Sequence, residues 1–297
     1  MENLKNLLGE NFRANEPMRI HTSLKTGGNA DYFISPETEE ELSAALEILR
    51  DQAVPVTVLG NCTNVIVSDR GIEGAAVSLL KLRSLYAQGD CVIVSSCGTL
   101  MSEAAVFALD CSLSGLEFAH GIPGSIGGGV IMNAGAYDGE MSGAVRSVRY
   151  LDKDNNIAEL SGEQMNFAYR SSILQSSEAV VLSAEFLLRE GNREDIIKKM
   201  KDFAERRKEK QPLEYPSAGS IFKRPEGHFT GELIEKSGLK GFRCGGMAVS
   251  TKHAGFIINI GNGTSDDIIN LIGIIKDTVR EKFGVLLSAE VKFIGRE

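Results

Sequence analysis

The chain has 297 residues, more than one average domain, so two or three packed units are expected. Hydrophobic residues at 42% and charged residues at 24% are ordinary for a globular protein and exclude a disordered or fibrous chain. A net charge of −8 argues against nucleic-acid binding, which draws on Lys and Arg, and leaves an anionic small substrate to a local basic pocket.

In chain order, a first amphipathic helix is predicted over Asn3 to Asn11, then an irregular stretch from Thr22 to Gly28 and a strand from Ala30 to Ser35. Ser35-Pro36-Glu37-Thr38 is a helix-start signal, and Leu42, Ala45, Leu46 and Leu49 recur at helical spacing, which predicts a helix from Thr38 to Gln52. Val54 to Leu59 reads as a buried strand ending at Gly60, so the chain opens as a βαβ unit. Short strands follow at Ala75 to Leu79, Leu85 to Ala87 and Cys91 to Ser95, and then a helix at Ser102 to Asp110. Beyond a glycine-rich tract, strands are predicted at Val145 to Leu151, Ile157 to Leu160 and Val180 to Leu187, with Lys153 to Asn156 as a hairpin turn. Arg193 to Lys210 is a charged helix, and Gly231 to Ser237 is a short one. Ser265 to Phe283 is a long helix with Ile268, Ile269, Ile272, Ile275 and Val279 assigned to one face and Gly284 as its stop. Ile257 to Ile260 and Glu290 to Ile294 complete the strands.

The cysteines Cys62, Cys91, Cys97, Cys111 and Cys244 are odd in number and form no CxxC pair, which suggests neither a disulfide framework nor a metal site. That usage fits a reducing cytosol. The first residues lack the basic start and apolar stretch of a signal peptide, and no apolar run approaches the ~18 residues of a membrane span. A cytoplasmic protein without membrane insertion is expected, and nothing such as a heptad run calls for assembly beyond a monomer.

Three groups of residues could carry chemistry. Gly60, Asn61, Cys62, Thr63 and Asn64 directly follow a strand, where small residues let backbone N–H groups converge on an anion. A plain tight turn would look the same. Gly121, Ile122, Pro123, Gly124, Ser125, Ile126, Gly127, Gly128 and Gly129, with Asn133, Ala134 and Gly135 close behind, match neither the dinucleotide fingerprint nor a Walker loop. Two glycine-rich segments in one domain suit a long diphosphate ligand, although glycines can also serve close packing. The third group is scattered: Tyr169 and Arg170, then Ser220 with Lys223 and Arg224, then Glu290. Arg can fork onto a carboxylate, and a positioned Ser can protonate a strongly basic carbanion. Pattern alone does not gather them into a site.

Taken together, the segments Gly121–Gly128, Met132–Tyr137, Tyr169–Ser172, Gly219–Lys223 and Ala289–Val291 closely resemble the UDP-N-acetylenolpyruvoylglucosamine reductases, from about Thr22 to Phe293. These enzymes act early in bacterial peptidoglycan synthesis. The resemblance implies an α+β chain with an FAD-binding, vanillyl-alcohol-oxidase-like fold of two subdomains and a C-terminal α/β substrate-binding domain. Boundaries at 1–24, 25–190 (divided near 80–98) and 191–297 follow. It implies that Gly60 to Asn64 and Gly121 to Gly128 cradle the FAD diphosphate with Asn133 to Gly135 nearby, and that Arg170, Ser220 and Glu290 are catalytic. It also implies NADPH as hydride donor, UDP-N-acetylglucosamine enolpyruvate as substrate, and protonation by Ser220. Tyr169, Arg206, Lys210, Lys223 and Arg224 are the candidates for holding the anionic substrate. The span from Arg170 to Ser220 is too short for the extra substrate-covering loop of the longer branch, so the chain looks like the short, second-type branch. It departs from the family pattern at Cys62, in a loop that usually reads Gly-x-Gly/Ser-Ser-Asn, and at Gly255, where Asn is usual. An oxidase of hydroxy acids or sugars on the same fold, and a non-catalytic nucleotide-binding derivative, are the competing readings.

Overall fold

The computed structural model describes residues 1–297 as two compact units. The first comprises Met1–Arg13, Tyr32–Asn61 and Ala75–Arg207, and the second comprises Ala14–Asp31, Cys62–Gly74 and Lys208–Glu297. The division is discontinuous, whereas the sequence suggests contiguous segments at 1–24, 25–190 and 191–297. The reason lies in the last strand: Lys292–Ile294 pairs in parallel with Val65–Val67 and draws that early segment into the C-terminal unit.

In the first unit, helix Glu2–Leu8 buries Leu4 and Leu8, and helix Glu39–Asp51 buries Leu42, Ala45 and Leu49. Thr38 caps the second of these, its hydroxyl accepting the Glu41 N–H at 3.1 Å. Strand Val56–Leu59 pairs in parallel with residues 75–78, so the later strand Ile72–Ser78, and not Asn29–Ile34 before the helix, is its neighbour in the sheet. A five-stranded antiparallel sheet follows, in the order Ile157–Ser161, Val145–Leu151, Val180–Leu187, Val92–Ser96 and Leu85–Ala87. Alternation fixes its two faces. Val148, Ala184 and Phe186 are buried in the core, while Ser147, Arg149, Ser183, Glu185 and Ser96 line a shallow polar pocket in which Arg149 grips Glu39 at 3.1 and 3.3 Å.

The glycine-rich tract, for which the sequence indicates no element, contains a short helix, Ile126–Ile131. Glycine is a poor helix former, so packing must supply the stability. A Cβ on Gly127 would lie 2.9 Å from the Cys97 Cβ, and one on Gly129 would lie 2.8 Å from the Met101 sulfur. Those two glycines let the helix sit directly on strand and helix neighbours, which side chains would prevent.

The second unit holds a four-stranded antiparallel sheet in the order Ser217–Ser220, Phe256–Asn259, Met247–Val249 and Arg243–Cys244. Helix Ser265–Phe283 packs in its core with Ile268, Leu271, Ile272, Ile275 and Val279 buried. Ile269, assigned to that face from sequence, is 45% exposed, and Leu271 takes its place. Positions 268, 271, 272, 275 and 279 follow the 3.6-residue turn more closely than a set containing 269. Thr264 and Asp267 form a reciprocal cap at 3.1 Å each way, and Gly284 closes the helix at φ 68°.

Candidate functional site

In the first unit the strand Val56–Leu59 delivers Gly60 to the glycine-rich tract. A Cβ on Gly60 would lie 2.4 Å from the Ser125 Oγ, so a side chain there would displace that hydroxyl. Ser125 is 1% exposed and its hydroxyl has no hydrogen-bond partner in the protein. A buried orphan of this kind is expensive unless something external satisfies it. Gly128, by contrast, is exposed, and a Cβ there would meet nothing closer than the Ser125 Oγ at 3.7 Å. Packing therefore does not require glycine at 128, whereas close approach of a ligand to the backbone would. The Asn61 side-chain amide donates to the Pro123 carbonyl, which ties the two loops together. Small residues, an unsatisfied hydroxyl and open backbone suit the phosphate oxygens of FAD.

Asn133 is positioned differently from the other anticipated cofactor contacts. It is buried, at φ 42°, and its amide is already used: Nδ2 donates to the Ala168 carbonyl at 3.1 Å, and Oδ1 accepts the Ser142 N–H at 2.9 Å. It pins three segments together. Arg170 leans on the same corner. Its Nη2 donates to the Gly135 carbonyl at 2.9 Å and its Nη1 to the Asn133 carbonyl at 3.5 Å, with the guanidinium 5.1 Å from the centre of the Tyr169 ring. The Arg170 backbone has φ 55°, a conformation that costs energy in a residue with a Cβ and concentrates at functional positions.

The second unit brings together three segments that lie far apart in sequence. The Glu290 N–H donates to the Ile221 carbonyl at 2.8 Å, which sets the backbone of Glu290 beside the residue following Ser220. The Asn64 side chain donates to the Glu290 carbonyl at 3.3 Å, and the Lys292 N–H donates back to the Asn64 carbonyl at 3.0 Å. Ser220 is half-buried and donates to the Phe222 carbonyl across a long 3.4 Å. Next to it, a Cβ on Gly255 would come 3.5 Å from the Ser220 Oγ and 2.9 Å from the His253 ring. The imidazole thus occupies room that the Asn usual at position 255 would need. Burial holds His253 below the ordinary histidine range, and its Nδ1 accepts the Gly255 N–H at 3.1 Å.

Cys62 also lies in this unit, at φ 48° and buried, and burial pushes its thiol up to about 11. It is an inert small side chain at the bend, and its carbonyl accepts the Ser23 N–H at 3.2 Å.

The anticipated cations divide. Arg206 is committed to Asp202 at 2.9 Å along the helix, an exposed (i, i+4) pair. Lys210 is exposed. Lys223 is half-buried and its backbone is bonded to Ser288 and Thr230, while the Arg224 guanidinium lies 4.0 Å above the Phe229 ring. Sequence reasoning passed over Arg207, which is half-buried with its stem against Gly121: a Cβ on that glycine would be 3.1 Å from the Arg207 Cδ. Its neighbour Arg206 looks equivalent in the sequence, and only the phase of helix Arg193–Lys210 separates them.

The mixed fold that carries these glycine-rich loops is that of an FAD-binding flavoprotein. Residues 30–161 match the family model described as FAD binding domain, and residues 211–294 match the UDP-N-acetylenolpyruvoylglucosamine reductase, C-terminal domain. The chain belongs to the UDP-N-acetylenolpyruvoylglucosamine reductase family. It is 49% identical to a protein of that name from Caldanaerobacter subterraneus subsp. tengcongensis, over 100% of this chain and 98% of the relative. It is 46% identical to one from Staphylococcus aureus strain COL, over 96% of this chain and 93% of the relative. The crystal structure of UDP-N-acetylenolpyruvylglucosamine reductase from Thermus caldophilus superposes with a TM-score of 0.81 at 32% identity, covering 95% of this chain and 98% of that one. No helix is long and apolar enough to cross a membrane.

Proposed function

We propose that this protein reduces the enolpyruvyl ether of UDP-N-acetylglucosamine enolpyruvate to UDP-N-acetylmuramate, a step of peptidoglycan precursor synthesis, with FAD as cofactor and NADPH as hydride donor. When bound, FAD would supply the hydride chemistry between NADPH and the substrate alkene. Gly60 to Asn64, Gly121 to Gly128 and the Asn133 to Gly135 turn are the residues to hold it.

Hydride addition leaves electron density on the carbon next to the substrate carboxylate, and the protein's task is to accommodate that charge and then protonate it. Arg170, whose guanidinium donates to the Gly135 and Asn133 carbonyls, is the group to bind the substrate carboxylate. Ser220 is the proton donor. A serine is too weak an acid for most substrates but suffices for a carbanion-like centre, and its long 3.4 Å bond to Phe222 costs little to give up. Once the new C–H bond forms, the Ser220 oxygen takes its replacement proton from solvent. Glu290 orients or stabilises the enolate-like state.

The observation that carries this reading is the backbone bond from Glu290 to Ile221, which sets the acid and the serine segment on one frame that Asn64 of the cofactor loop also joins. Tyr169, Lys210, Lys223 and Arg224 are the residues to meet the substrate's anionic groups, and the protein acts as a cytoplasmic monomer. The test is NADPH oxidation by the purified yellow protein. Oxidation that requires the enolpyruvyl substrate supports the reductase; oxygen consumption with a hydroxy acid and no response to the enolpyruvyl compound removes it.

A further inference from the structure

We infer that Ser23 is a positioning residue for Ser220, acting through the carbonyl of Ser217. The inference rests on the reading of Ser220 as proton donor.

Ser217–Ser220 is the edge strand of its sheet. On its inner side Ser217 opposes Ile258 and Ser220 opposes Phe256, so one extra residue is accommodated between them, and Gly219 takes φ +76° to do so. Such a bulge interrupts the ladder and re-aims the side chain that follows, here Ser220. The Asn259 N–H to Pro216 and the Ile221 N–H to Gly255, at 2.9 and 3.0 Å, hold only the ends of the interruption. On the outer side, the Ser217 carbonyl accepts the Ser23 hydroxyl at 2.7 Å. The direction of Ser220 is therefore set by its backbone, because its own hydrogen bond is long.

Ser23 is itself firmly held. Its N–H donates to the Cys62 carbonyl, Thr22 and Leu24 on either side are fully buried, and the Leu24 carbonyl accepts the Asn259 side chain at 3.0 Å. The Ser23 hydroxyl also lies 3.3 Å from the Cys62 carbonyl, but its one proton belongs to the shorter contact. Removing the hydroxyl leaves the backbone bond to Cys62 intact and cuts only the link to Ser217.

The experiment compares wild type, Ser23→Ala, Ser23→Thr and Ser220→Ala in three measurements. These are flavin reduction by NADPH, re-oxidation of the reduced enzyme by the enolpyruvyl substrate, and hydrogen exchange of residues 217–222 in FAD-free protein. Because small misplacements of a reacting group are costly, Ser23→Ala is expected to slow re-oxidation about tenfold while changing flavin reduction less than about twofold. Exchange at 217–222 rises in Ser23→Ala, and Ser23→Thr restores both readouts. Equal slowing of both half-reactions, unchanged re-oxidation, or unchanged exchange overturns the inference. Should Ser220→Ala itself re-oxidise normally, the underlying assignment of the proton donor fails instead, whatever Ser23→Ala does.

Discussion

The side-chain amide of Asn64 donates to the backbone carbonyl of Glu290, joining residues 226 positions apart. With the returning bond from the Lys292 N–H to the Asn64 carbonyl, the loop and the last strand form a closed two-bond ring. Asn64→Ala should remove this bond and cost about 1 kcal/mol, a typical value for one such bond. Turnover should fall more than flavin binding does. Comparing denaturant midpoints, FAD titrations and kcat for the variant separates the three; a drop in FAD affinity alone would assign Asn64 to the cofactor.

Ser220→Ala is expected to lower the rate of substrate reduction by about 10²- to 10⁴-fold, the usual worth of a positioned acid. Flavin reduction by NADPH should persist, because no step of it needs that proton. Stopped-flow absorbance of the two half-reactions decides the matter, and loss of both would show that the serine supports binding or folding.

Two glycines of the cradle should respond differently to a methyl group. Gly128→Ala meets no protein atom within 3.4 Å, so the FAD-free protein should melt as wild type does while FAD affinity falls about tenfold, or about 1.4 kcal/mol. Gly60→Ala drives into the Ser125 hydroxyl at 2.4 Å and should weaken FAD binding and also lower the melting temperature of the FAD-free protein. Thermal scans with and without FAD distinguish these cases. Wild-type affinity in Gly128→Ala would remove that glycine from the cofactor site.

Glu117 supplies the pH dependence. Burial opposes its ionisation, but the Ser114 hydroxyl at 2.6 Å, the Gly115 N–H at 2.8 Å and Lys199 at 3.6 Å outweigh it and hold the carboxyl below its ordinary value of 4.5. A carboxyl with a depressed folded-state pKa contributes stability that is complete above its unfolded value and is lost as pH falls through the folded one. Stability should therefore decline below about pH 4.5 in wild type, and less steeply in Glu117→Gln, which should be the less stable protein at pH 7. Urea midpoints across pH 3 to 7 test this; parallel curves would exclude Glu117 as a contributor.

Much of the fold was legible in the sequence because its signals are local. Val145–Leu151, Val180–Leu187, Arg193–Lys210 and Ser265–Phe283 occur with the bounds that period and capping residues indicate. Strand Val65–Val67 was missed because its partner Lys292–Ile294 lies at the other end of the chain, and no short window contains both. The helix Ile126–Ile131 was missed because its stability comes from neighbours that a run of glycines does not advertise. At the site, residue types suggested a cradle and a scattered trio, and resemblance named their roles. The Ser23 contact to Ser217 left no mark, since a lone serine in an irregular stretch has no pattern to read. Arg206 was preferred to Arg207 although the letters are identical, because the roughly 100° between successive helix positions that separates solvent from glycine is not written in them.

The parallel pairing of Lys292–Ile294 with Val65–Val67 also imposes an order of events during synthesis. The early segment is synthesised long before its partner, so this pairing cannot form until residues 292–294 have been made. Glu290 can take its seat only when that last strand docks. A chain whose synthesis has not yet reached residue 294 therefore holds Gly121 to Gly128 but lacks the pairing that seats Glu290 beside Ile221.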